Sequence, residues 1–149
     1  MKWTLLLLVF AASAVLGHSH EKGDIQVRHP WARATPPGTT VAAGYLEIRN
    51  NGKEADRLLS ATTPVAKRVE LHVTEHSDHV AKMRQLRAFE VPGRERLTLS
   101  PGGAHLMLVD IVQPLRKGER FPLTLRFERA GELQVEVEVQ ELGARHPRH

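Results

Sequence analysis

The stretch Leu133-Gln134-Val135-Glu136-Val137-Glu138-Val139 alternates aliphatic and polar residues without a break. A period of two puts Leu133, Val135, Val137 and Val139 on one face of an extended strand and the polar residues on the other. Upstream, Phe121, Leu123, Leu125 and Phe127 repeat the pattern. Arg129-Ala130-Gly131 lies between the two runs with the composition of a turn, so they predict a hairpin. Weaker runs of the same kind predict strands over 25–28, 44–49 (Leu46 and Ile48 inward), 57–62, 68–74, 80–87, 96–99 and 104–110. Turn chemistry marks the joints at Pro36-Pro37-Gly38, Asn50-Asn51-Gly52, Pro92-Gly93 and Pro101-Gly102-Gly103. No stretch holds an i, i+3, i+4 apolar pattern. Many short strands without internal repeats predict an all-β domain, an antiparallel β-sandwich or a small barrel.

The ends read differently. Lys2 precedes an apolar run from Trp3 to Leu16, with small residues at Ala14 and Gly17 suited to cleavage. Residues 1–17 are therefore expected to be a signal peptide, cleaved after Ala14 or Gly17, and the protein exported to a periplasm. Residues 18–24 and 143–149 are expected to be flexible, the first containing histidine, with 25–142 as the single folded domain. The 149 residues contain no cysteine, so disulfides, thiolate metal chemistry and lipid attachment through cysteine are not expected. The net charge of +4, one less without Lys2, is spread along the chain among acidic residues, as in Glu95-Arg96 and Glu119-Arg120. With two Trp, one Tyr and four Phe there is no aromatic-interleaved basic stripe, so no nucleic-acid partner is expected. No stable membrane association is expected either, and the protein is read as a monomer.

Methionine usage points to chemistry. Apart from Met1, the chain holds only Met83 and Met107, and they fall in the pattern His72-x10-Met83-x21-His105-x-Met107. Thioether sulfur with imidazole nitrogen, in a chain without thiolate, suits Cu(I) better than zinc, calcium or magnesium. Val69, Leu71 and Val73 alternate with Glu70, His72 and Thr74, which sends His72 to the non-core face. If His76-Ser77-Asp78-His79 is the loop of a hairpin, residues whose numbers sum to 155 face each other, and His72 is opposite Met83. His105 and Met107 share one strand face while Leu106 and Leu108 take the other. The two pairs would close an N2S2 set where their strands meet, a meeting the spacing alone does not establish. Read singly, Met107 in its apolar strand is an ordinary packing residue, and Trp31 with Arg33 reads as a packed indole beside a structural arginine.

These residues resemble the periplasmic copper chaperones of the PCu(A)C family, whose signature His72, Met83, His105 and Met107 meet without insertion or deletion. Flanking segments are similar too: Pro30-Trp31-Ala32-Arg33, Pro36-Pro37-Gly38, Ala43-Gly44-Tyr45-Leu46, Pro101-Gly102-Gly103-Ala104, Gln113-Pro114-Leu115 and the closing hairpin. The resemblance spans roughly 25–139. It implies a cupredoxin-like β-sandwich that is not an enzyme and binds one Cu(I) per chain through those four residues. The same resemblance implies delivery of copper to cytochrome c oxidase assembly, the CuA centre of subunit II, or to another copper chaperone. Family members often carry extra methionines between the first ligand pair, and some a methionine- and histidine-rich tail. Here the hairpin has His76 and His79, and the tail only His146 and His149, so no second site is carried over.

Two other readings come from the residues. Cleavage after Gly17 would leave His18-Ser19-His20 as a free terminus, a secondary Cu(II) chelate at His18 and His20 and so a Cu(II) scavenger. The other is a metal-free interaction module, with His72 and His105 as surface residues. Hydrolytic chemistry has little support, because His76-Ser77-Asp78 lies in one turn.

Overall fold

The computed structural model describes residues 19–148. Among them are eleven strands and no helix: β1 (Ser19–Lys22), β2 (Ile25–Arg33), β3 (Val41–Asn50), β4 (Asp56–Thr62), β5 (Ala66–Ser77), β6 (Val80–Leu86), β7 (Phe89–Val91), β8 (Arg96–Thr98), β9 (Ala104–Ile111), β10 (Arg120–Phe127) and β11 (Gly131–Gln140). The expected signal peptide and His18 lie outside the described residues, as does His149.

Hydrogen bonds link the strands in the order β6-β5-β9-β3-β2-β11-β10-β4-β7, with β1 added to β2 and β8 to β3. The path folds over so that β4 lies against β5, closing two layers round one core. The β10–β11 hairpin predicted from alternation is there, with Phe121 opposite Val137, Leu123 opposite Val135 and Leu125 opposite Leu133. All six are buried. Pro122, which has no N–H to donate, precedes the β4 ladder that begins at Thr124.

One pair departs from the antiparallel expectation. The end of β11 runs parallel to β2, with Glu138 facing Trp31 and Gln140 facing Arg33. On its other edge β2 pairs antiparallel with β3 through a bulge, where the register shifts between Arg28 and Trp31 and His29 takes a φ of 49°. The extra residue also exchanges faces. Before it Ile25 and Val27 point into the core, and after it Ala32 does, while Trp31 joins a separate outer cluster with Tyr45 and Ala144.

The flexible ends are a correction. Ser19–Lys22 forms a strand on β2, returning through Gly23 at a φ of 57°. At the other end Arg33 Nε donates to the carbonyl of Ala144 at 2.8 Å, and Ala144 is buried against Trp31 and Tyr45. Gln140 and Arg148 exchange two hydrogen bonds, Nε2 to O at 3.4 Å and N to Oε1 at 3.2 Å. Each end satisfies backbone groups, and the C-terminal one also buries Ala144, which composition alone leaves in solvent.

Candidate metal centre

The strands β5 and β9 are adjacent, so the meeting left open by the spacing takes place. Their register puts His72 directly opposite His105 and Glu70 opposite Met107. On the inner face Leu71, Leu106 and Leu108 are buried in the core, which turns His72, His105 and Met107 to the outer face. The two imidazole centroids are 5.6 Å apart with their planes tilted by 53°.

The hairpin register is a second correction. Met83 faces Thr74, and His72 faces Gln85, so paired numbers sum to 157 and not 155. Ser77 pairs with Val80, which leaves a two-residue turn, Asp78-His79, in place of the four-residue loop. Both turn residues have positive φ, 48° and 65°, the conformation that matches the twist of a tight hairpin. A shift of two residues preserves strand parity. Met83 therefore stays on the same face as His72, as a diagonal neighbour about 7–8 Å away with the Cβ atoms somewhat closer.

Each imidazole has one nitrogen committed. The Nδ1 of His105 lies 3.1 Å from the carbonyl oxygen of Gly103. A carbonyl only accepts, so Nδ1 carries the proton and Nε2 keeps its lone pair. The Nε2 of His72 lies 2.8 Å from Glu70 Oε2, a carboxylate held below its ordinary range by hydrogen bonds from His72 and then Arg68. The other nitrogen of His72, Nδ1, is buried with no hydrogen-bond partner. In the neutral ring that donates through Nε2, this orphaned atom is a lone pair. Second partners of this kind fix tautomer and orientation in imidazoles that ligate metals. Among the described residues no group of three or more His, Cys, Asp or Glu is gathered to hold a metal.

Exposure differs round the site. His105 is buried, Met107 half-buried, and Met83 is 53% exposed on a strand whose first six residues are all exposed. Burial pushes the His105 pKa down, against the raising effect of its bond to Gly103, with a smaller lowering from His72. The folded state thus favours the neutral ring. Its contribution to stability is complete above the ordinary imidazole value of 6.5 and is lost as pH falls through the folded value. An NMR titration of the metal-free protein should place the His105 midpoint below 6.5; a midpoint above it would contradict the burial argument.

Sequence reading missed Glu70, although it stands two residues before His72 on the same face, where period two could have found it. His20 is on β1, lining a groove with Arg120, Phe121 and Glu136, and shares no strand with the other four positions. Trp31 and Arg33 are structural as expected: Trp31 stacks on Tyr45 at 4.6 Å, and the Arg33 guanidinium lies over that ring at 5.9 Å.

Comparison with known proteins gives concordant matches. The family described as "Putative lipoprotein LpqE-like" matches residues 25–139. The chain is 31% identical over 118 residues to "Putative lipoprotein Lxx21020" of Leifsonia xyli subsp. xyli, covering 78% of this chain and 70% of that protein. Among solved structures it is similar to the copper-bound PCuAC domain from PmoF2, with a TM-score of 0.73, 31% identity and coverage of 83% of this chain and 98% of that one. The apo form of that domain matches with a TM-score of 0.75, 32% identity and coverage of 87% and 99%. The solution structure of CuI-DR1885 from Deinococcus radiodurans matches at 0.64 and 28% identity, covering 87% of this chain and 85% of that one.

Proposed function

The chain belongs to the LpqE-like family, and we propose that it is an exported copper chaperone that carries one Cu(I) as cargo on His72, Met83, His105 and Met107. The observation that carries this reading is the paired His72 and His105, each with one nitrogen committed and one lone pair left, on the face that also bears both methionines. The likeness to a copper-bound PCuAC domain and to CuI-DR1885 supports the choice of metal.

Two thioethers and two neutral imidazoles form a soft, uncharged set suited to Cu(I). No thiol proton has to be lost on binding, as it would be from cysteine. Methionine also persists in an oxidising compartment where cysteine would form disulfides. Exposure sets an order for release. Met83, on the exposed strand, stays with the ion as it moves outward, while the ligands nearer the core, Met107 and the buried His105, are given up. The finer proposal is delivery by such ligand exchange to cytochrome c oxidase assembly, at the CuA centre of subunit II, directly or through another copper chaperone. The relatives' names speak of lipoproteins, whereas the 149 residues here contain no cysteine to acylate.

X-ray absorption on protein loaded under reducing conditions tests the site. The expected result is one Cu(I) per chain with both sulfur and nitrogen in its shell. A shell of nitrogen and oxygen alone, or no uptake, would overturn the assignment.

A further inference from the structure

We propose that His76 is an outer ligand for Cu(I), sharing the thioether of Met83 with the inner set, so that copper enters and leaves along the β5–β6 hairpin. This deepens the reading of the four-residue site and rests on it.

The corrected register is the first observation. Strand alternation puts His72, Thr74 and His76 on one face of β5, and Met83 stands directly across from Thr74. Met83 is therefore flanked by two imidazoles, one diagonal step towards His72 and one towards His76. The residue facing His76 is Ala81, whose methyl leaves the space above it open. Thr74 is the floor of this arrangement, with Met83 on one side. On the other side the Gly103 carbonyl accepts the Thr74 N–H at 3.2 Å.

The second observation is independent of the register. His76 Nε2 lies 3.1 Å from the carbonyl oxygen of Gly102, so Nε2 carries the proton and Nδ1 keeps a lone pair. The next carbonyl along, Gly103, holds His105 at the same distance of 3.1 Å. Gly102 has a φ of 85°, a left-handed conformation open to glycine without steric cost. One turn thus orients two imidazoles by successive carbonyls, a buried one at the site and an exposed one beyond it. A methionine at 53% exposure between them is an apolar side chain left in water. A shared ligand role accounts for its position.

In the transfer, His76 Nδ1 takes a place on the ion as Met107 or His105 leaves, while Met83 stays bound throughout. The copper remains Cu(I), and one ligand bond forms for each that breaks.

The test compares His76→Gln and His76→Ala in the full chain. Glutamine keeps a donor for the Gly102 carbonyl and alanine does not. Release of Cu(I) to a chromogenic chelator is followed by stopped flow, and affinity is measured separately by equilibrium competition. Both variants should slow release by about tenfold, the lower end of what loss of a supporting partner costs at metal sites. Affinity should change far less. Slowing in alanine alone would show that His76 merely ties down the turn, and unchanged release in both would equally overturn the proposal. Wild-type protein that takes up no Cu(I) would instead sink the underlying site assignment.

Discussion

Replacing Met83 and Met107 together by leucine is expected to abolish measurable Cu(I) binding and leave the fold in place. Leucine keeps the volume of methionine and removes only the sulfur, a change that costs under about 1.5 kcal/mol even in a packed core. Met83 is 53% exposed and Met107 half-buried, so the cost here falls below that bound. Loss of half the ligand set should weaken binding on the order of a thousandfold or more, about 4 kcal/mol. The histidines make poorer probes. Removing His105 takes one of two donors from the Gly103 carbonyl and empties a buried position, and removing His72 takes one of two donors from the Glu70 carboxylate, so lost affinity would mix with local rearrangement. The measurement is Cu(I) competition against a chelator, with thermal melting of the metal-free variant as control. Unchanged affinity in the double variant would end the N2S2 assignment. A melting point lowered in parallel with affinity would mean that the sulfurs act through packing.

What was legible in the sequence follows from which forces are local. Alternation marks a strand buried on one face, and the nine predicted runs all lie on strands of the structure. The two strands missed, β1 and β7, are short. Phe89 and Val91 of β7 bury their side chains, but the two inward positions in Phe89-Glu90-Val91 are too few to register as a period. The hairpin register failed for a physical reason. His76-Ser77-Asp78-His79 has the composition of a loop, but the strands continue through Ser77 and Val80, and the turn needs positive φ at Asp78 and at His79. A histidine accepting that conformation leaves no glycine to announce it. Met83 nevertheless shares a face with His72, because a slip of two residues keeps every side chain on its face. The pairing of His72 with His105 was illegible, since it depends on which strands become neighbours after the whole chain has folded. The orientation of His76 was illegible for a related reason: it comes from a partner that the fold supplies, the Gly102 carbonyl.

The largest effect on stability is expected from Asn50→Leu, at the end of β3. Asn50 is 1% exposed, and its amide makes three hydrogen bonds. Its Nδ2 donates to the carbonyls of Glu54 at 2.7 Å and Val91 at 3.1 Å, and its Oδ1 accepts the Gly52 N–H at 3.0 Å. Three strands and a turn are joined there, because the backbone of Asn50 also pairs with Ile25 and donates to Glu95. Leucine fills the same volume with no polar atom and leaves two carbonyls and one N–H with no partner from that side chain. At about 1–3 kcal/mol for each group left unsatisfied, with the bonds to Glu54 and Gly52 only partly buried and so near the lower figure, a loss of roughly 3–5 kcal/mol follows. That is a large share of the 5–15 kcal/mol typical of a domain, and it corresponds to a fall in Tm of about 10–20 °C. The site should be indifferent to this change. Asn50 belongs to the joint between β3 and β7, while His72, His105 and both methionines are carried by β5, β6 and β9. Below the lowered Tm, Cu(I) affinity should therefore equal that of the wild type, the converse of the methionine variant, which loses affinity and keeps its Tm. Affinity lost in Asn50→Leu while the protein is still folded would mean that the joint and the site are coupled, and that the outer face is not rigid by itself.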